Sequence, residues 1–194
     1  NGTYIYSTFS QDQIGKIEGV SYDKASNTLT LDNVKRDEKL ITNVMGDDFK
    51  ILLKGDNSLK SIIVWGDGYG GNLTITGDGK LTLNSEKTEN TAITIQAEYT
   101  EGKVKIEKNV QMEMYAKEGY PIIEIVGANN SDKDKAVVID GKVTQNYEVE
   151  QHITEVTNNV YVVAKDSTAR CYFTKFEKNG KYYGGRSKFY DKFK

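Results

Sequence analysis

Cysteine occurs once, at Cys171, which excludes an internal disulfide framework and a cysteine-rich zinc site. Histidine also occurs once, at His152, and no serine or cysteine can be tied to it by spacing, so no nucleophilic triad is legible. Arginine is confined to Arg36, Arg170 and Arg186. No run of about 18 apolar residues exists to cross a membrane as a helix, so no membrane span is expected. The first residues lack the basic then apolar pattern of a leader. No window resembles a long amphipathic helix.

Strand-forming residues take that place. Thirteen tyrosines, with threonines, valines and isoleucines at alternating positions, favour strand. A hydrophobic share of 37% is modest but is not that of a disordered chain. With 194 residues there is enough chain for one sizeable core, in one or two domains. The net charge of −2 hides an asymmetry: residues 1–164 carry 17 basic and 25 acidic side chains, giving −8, and residues 165–194 carry 9 and 3, giving +6. The two parts are expected to do different jobs.

Two series of short segments repeat. In the first, TLTLDNV (Thr28 to Val34), FKILLKGDN (Phe49 to Asn57) and NLTITGDGKL (Asn72 to Leu81) align Leu31, Leu53 and Ile75 at intervals of 22. The GDN beginning at Gly55 then stands over the GDG beginning at Gly77. The second series contains KLITNV (Lys39 to Val44), SIIVWG (Ser61 to Gly66), TAITIQA (Thr91 to Ala97) and PIIEIVG (Pro121 to Gly127), and its first step, Ile41 to Ile63, is again 22. The first series resumes at KVKIEKNVQMEMY (Lys103 to Tyr115) after a longer step, as an inserted loop would require.

Each segment alternates with period two, so alternate side chains point to opposite faces. A unit of about 22 residues cannot bury its apolar face alone, but a stack can. The pattern predicts an all-β chain: a single-stranded right-handed parallel β-helix over residues 20–164, preceded by a lead-in over 1–19 and followed by a carboxy-terminal β-hairpin cap over 165–194. Its inward residues would be Leu29, Leu31, Ile51, Leu53, Leu73, Ile75, Leu81, Leu83, Val104, Ile106, Met112 and Met114. The rival is an antiparallel sandwich, which also has short strands and frequent turns; a fixed register favours the stack. Asn33, Asn57, Gly79 and Asn109 follow first-series strands, where a positive φ is expected. GDG then reads as a turn. A phosphate loop would need a serine or threonine directly after the lysine and a strand leading into a helix; Gly79-Lys80 is followed by Leu81 and by another strand-like run.

The segments SYDKASNTLTLDNV, GDDFKILLKGDN and IIVWGDGYGGNLTITGDGKLTLN resemble the repeats of right-handed parallel β-helix domains in secreted and cell-surface proteins of anaerobic bacteria. Those domains are often described as carbohydrate-binding. The resemblance covers roughly residues 20–140 and implies the scaffold, export to the cell surface and a polysaccharide partner. It transfers no functional residue, because the shared pattern is the scaffold itself.

Three connections leave the second series: MGDDF (Met45 to Phe49), WGDGYGG (Trp65 to Gly71) and AEYTEG (Ala97 to Gly102). Stacked, they would gather Asp47, Asp48, Asp67, Glu98 and Glu101 on one edge with Trp65, Tyr69 and Tyr99. Sugars stack on aromatic rings and hydrogen-bond to polar groups, and calcium takes oxygen ligands. Trp65, Asp67, Tyr69 and Tyr99 are therefore the candidate ligand residues, and Asp47, Asp48 and Asp67 the candidate calcium ligands, although no cofactor is required. On the plainer reading the acids are solvated loop residues and Trp65 caps the core laterally. A calcium-binding nonapeptide array would need its glycine and aspartate pattern repeated at short intervals, and it occurs once.

Catalysis has less support. Lyases and hydrolases occur on parallel β-helices, but analogy of fold is a weak warrant. No arginine lies in a repeat strand to act as base, and adjacent aspartates in a polar loop are usually solvated. His152 alternates with Tyr147, Val149 and Ile153 on the face of Glu148 and Glu150, towards solvent. In the tail, CYFTKFEKNGKYYGGRSKFYDKFK (Cys171 to Lys194) places strand-like runs around Asn179-Gly180, a strong hairpin signal, with eight aromatics among the cations. This hairpin reads as a cover for an open sheet end or as a basic aromatic surface around Tyr182, Tyr183 and Arg186. The expectation is a non-catalytic, monomeric, secreted or cell-surface module for a polysaccharide, an acidic one included, with no specific nucleic-acid partner. A structural stalk or adhesin meeting a protein, and a polysaccharide lyase or hydrolase, are the alternatives.

Overall fold

Period-two alternation of apolar and polar residues makes strands, and each apolar set has to be buried by a neighbouring strand. The computed structural model describes residues 17–43, 48–65, 71–86, 88–96, 102–116, 122–126, 135–139, 142–147, 154–156, 159–163, 169–171, 176–178 and 181–183. Within them the chain is all-β, with nineteen strands and no helix, so none is long and apolar enough to cross a membrane.

Three sheets hold nearly all the strands. The first comprises, in spatial order, β1 (Val20–Asp23), β2 (Thr28–Asp32), β4 (Phe49–Lys54), β7 (Gly71–Gly77), β10 (Gly102–Ile106), β13 (Lys135–Ile139) and β16 (Asn159–Val163). The second runs β5 (Asp56–Leu59), β8 (Lys80–Leu83), β11 (Gln111–Ala116), β14 (Lys142–Tyr147), β15 (Thr154–Val156). The third runs β3 (Lys39–Asn43), β6 (Ser61–Trp65), β9 (Ile93–Gln96), β12 (Ile123–Val126), β17 (Ala169–Cys171). From β4 to β14 the chain visits first, second and third sheet in turn, and from β6 onward each strand pairs in parallel with the strand of the previous visit.

The chain then turns back. Strand β15 is antiparallel to β14, β16 to β13 and β17 to β12, so the last three strands retrace the three sheets along their final edges. The expected hairpin at Asn179-Gly180 is present as β18 (Phe176–Lys178) and β19 (Lys181–Tyr183), with Lys178 opposite Lys181. It forms a separate two-stranded sheet with no ladder to the other three. Among the described residues the final parallel strands of the three sheets are paired by β15 to β17, which the sequence reading did not foresee.

All twelve residues expected to point inward are buried, none more than 2% exposed. The register differs from the one expected. Leu31 pairs with Leu53 and Ile41 with Ile63, both 22 residues on, but Leu53 pairs with Gly77, a step of 24. Ile75 instead continues the row Leu29, Ile51, Ile75, Ile106. Two residues are the full side-chain period of a strand, so the slip leaves every inward residue inward. The extra pair lies in WGDGYGG: six residues separate the aligned positions Asn43 and Phe49, and eight separate Trp65 and Leu73. The next steps lengthen to 31, as Ile62 to Ile93 and Gly71 to Gly102. The expected 22-residue step from Leu53 to Ile75 is thus corrected to one of 24 from Leu53 to Gly77, and the longer step expected before Lys103 is 31.

The longer step begins at Asn84, which is 2% exposed and has φ 53°. Its side-chain carbonyl accepts from Thr88 N–H (3.0 Å) and Thr88 Oγ1 (2.6 Å). Its amide group faces the carbonyls of Thr88, Asn90 and Tyr115 at 3.0, 3.0 and 3.1 Å, so one buried side chain organises the inserted loop and ties it to β11.

GDG is a turn: it carries the chain from β7 to β8. Positive φ falls on Asn33, Gly55 and Gly77, not on Asn57, Gly79 or Asn109. At Gly77 a Cβ would strike the Leu53 carbonyl oxygen of the turn beneath. Asn57 has another role. Fully buried in β5, it accepts from Val34 N–H (2.8 Å) and donates to the carbonyls of Lys54 (3.0 Å) and Lys80 (3.2 Å), linking three successive turns.

Removing that amide would leave buried backbone groups without partners, at about 2 kcal/mol. Asn57→Ala is expected to lower the unfolding free energy in urea by roughly that amount, whereas the exposed Lys24→Ala stays within about 0.5 kcal/mol. Equal midpoints for the two variants would show that the bridge carries no net stability.

Candidate functional site

Alternation along β6 buries Ile62 and Val64 and turns Ile63 and Trp65 outward. Trp65, the last residue of the strand, is 45% exposed, so its ring faces solvent and does not cap the core. Its row is Asn43, Trp65, Gln96, and the row beside it is Ile41, Ile63, Thr94, Glu124. Ile41, at 36% exposure, and Trp65 are the exposed large hydrophobic side chains of the described residues, and both belong to the outer face of the third sheet.

Beyond Trp65 the chain crosses to the first sheet. The strands flanking the three proposed connections are in register, Asn43 with Trp65 and Gln96 on departure, and Phe49 with Leu73 and Val104 on arrival. The connections therefore span the same corner on successive rungs. Asp48 is exposed there, and its backbone carbonyl accepts a hydrogen bond from Asn27 Nδ2 at 3.2 Å. Asp47, Asp67, Tyr69 and Tyr99, like Glu98 and Glu101, lie outside the described residues, as does His152. Among the described residues no group of three or more histidine, cysteine, aspartate or glutamate side chains could hold a metal ion.

At another corner, between the first and second sheets, a depression of about 560 Å³ is lined by Thr76, Asp78, Lys105, Glu107, Lys108 and Asn109. Thr76 Oγ1 donates to Glu107 Oε2 at 2.6 Å and Lys105 Nζ to Glu107 Oε1 at 3.2 Å. The Thr76 hydroxyl, and after it the Lys105 ammonium, hold the Glu107 carboxyl below its ordinary range. Glu107 is consequently an ionised acceptor at neutral pH and not a proton donor. Hydroxyl, amide, ammonium and carboxylate groups alternate around the depression, a set suited to sugar hydroxyls. Sequence reading missed this cluster because Thr76 and Glu107 meet only through the 31-residue step that pairs Ile75 with Ile106.

No family model, no curated protein and no solved structure matches the chain.

Because the folded carboxyl of Glu107 titrates lower than an unfolded one, its contribution to stability is complete above the ordinary carboxylate range and is lost as pH falls through the folded value. Thr76→Val is expected to move that titration up towards the ordinary value of 4.5, read from the Glu107 carboxyl carbon by NMR. An unchanged titration would remove the hydroxyl as the principal cause.

Proposed function

We propose that the chain is a right-handed parallel β-helix serving as a non-catalytic module of a secreted or cell-surface protein, and that it binds a polysaccharide. Ordered visits to three sheets with parallel ladders support the winding, and parallel crossover connections are right-handed in nearly all proteins. Residues 1–19 are read as a lead-in, and the basic aromatic stretch that follows β17 as a terminal accessory to the stack.

One observation carries the binding reading: Trp65 is exposed at a strand end, in a row with Gln96, and in the sequence it is followed by Asp67 and Tyr69. An exposed indole beside amide and carboxylate groups is what sugar rings, with apolar faces and polar rims, require. Tyr99 follows Gln96 in the sequence as Asp67 and Tyr69 follow Trp65. Asp47, Asp48 and Asp67 would orient hydroxyls or hold calcium through carboxylate oxygens, with the metal an accessory and not a requirement.

A stalk or adhesin is the second reading, favoured by the apolar patch of Ile41 and Trp65 on one sheet face. A polysaccharide lyase or hydrolase is the third. The paired depression residues at Glu107 support binding more than chemistry, because a carboxylate with a lowered pKa is a poor general acid.

As Trp65 is the single tryptophan, its emission reports on this corner alone. A spectral change is expected on adding a bound glycan or calcium. Trp65→Ala, Tyr69→Ala and Asp67→Ala are each expected to weaken glycan binding by about 2 kcal/mol in calorimetry, with the fold retained. A glycan array with and without calcium identifies the ligand. Silence across the array favours the stalk, and release of unsaturated or reducing sugar would overturn the non-catalytic reading.

A further inference from the structure

Outward positions on the first sheet follow the same alternation as the core. Across β4, β7 and β10 they are Lys50, Leu52, Lys54, Asn72, Thr74, Thr76, Lys103 and Lys105, with four lysines and no carboxylate. Lys50, Thr74 and Lys105 form one row across the strands, and Asn72 and Lys103 another. Lys105 is shared with Glu107, whereas Lys50, Lys54 and Lys103 are exposed and make no ion pair with any described residue. Asp23 and Asp32 lie on the amino-terminal side of this face, and Asp78 and Glu107 at its corner. A cationic, hydroxyl-bearing surface is thereby set into a region, residues 1–164, whose net charge is −8.

We propose that this face of the first sheet binds a linear acidic polysaccharide laid across the strands, a proposal that rests on the polysaccharide-binding reading and names its chemical class. Strands are about 4.8 Å apart, so Lys50 and Lys105, two strands apart, set two cations about 10 Å from each other, with the Thr74 hydroxyl between them. Carboxylate or sulfate groups meet the ammonium ions, and sugar hydroxyls meet Thr74, Thr76 and Asn72. Duplex DNA fits less well, since it carries one charge per about 1.7 Å of axis, far denser than the few cations on this face.

The test uses alginate, a linear polymer of uronate sugars, with neutral dextran and a short DNA duplex as comparisons, by affinity electrophoresis and calorimetry. The double variant Lys50→Gln/Lys103→Gln is expected to bind alginate about tenfold more weakly, with unchanged thermal stability and with binding that weakens as salt rises. Lys50→Arg/Lys103→Arg should retain affinity. Lys24→Gln/Lys39→Gln removes the same charge elsewhere and should have little effect. Equal losses in the two glutamine pairs, or none in either, overturn the assignment of this face while leaving polysaccharide binding intact. Binding of array glycans without binding of alginate overturns the acidic class alone. Silence on the array and with alginate removes both readings, and DNA held as tightly as alginate with the same lysine dependence assigns the face to a different polymer.

Discussion

Each inward row of aliphatic side chains is completed by the strands above and below it, and the rest of the molecule depends on that parallel register. Leu29, Ile51, Ile75 and Ile106 form one such row, with every member essentially sealed from solvent. No single strand of four to seven residues has enough apolar surface to offset the entropy of ordering it. Backbone hydrogen bonds between successive visits and burial of the rows are therefore one event. A residue in a row is stable only because its neighbours in the row exist.

Corners impose a second requirement, since backbone groups there leave the ladders and still need partners. Asn57 meets it with one amide spanning three turns, and Asn84 meets it at the larger insertion. Glycine meets it differently: Gly77 lets the turn descend onto the Leu53 carbonyl, where a side chain would collide. With the corners fixed in this way, connections can lengthen without disturbing the rows, and the step grows from 22 to 31 residues while the core is continuous. The proposed ligand sites lie where the scaffold tolerates variation, on outward faces and in corners.

Much of the fold was legible because period-two patterning survives any slip by an even number of residues. The twelve inward residues follow from alternation alone, and the hairpin at Asn179-Gly180 follows from local turn chemistry. The turn role of GDG was legible too, because Leu81 and not a hydroxyl residue follows Gly79-Lys80 and the flanking segments alternate as strands. The second step of 24 was not, because two further residues in WGDGYGG align Leu53 with Gly77 as readily as with Ile75 on pattern grounds. Asn57 was assigned to a turn because asparagine tolerates positive φ; its burial in β5 reflects hydrogen bonds to groups 23 residues away in either direction, which no local signal records.

Sequence by itself determined which side of each strand is apolar, where the punctuating glycines and asparagines fall, and the charge contrast between the body and the tail. These are local properties, set by side-chain chemistry and a fixed backbone period. Tertiary structure alone decided the three-sheet order, the growing step, the retrograde strands β15 to β17 and the companions of each outward residue. Lys50 and Lys105 are 55 positions apart in the chain and two strands apart in space. That nearness depends on the lengths of every intervening corner, and corner length leaves no trace in the alternation from which the strands are read.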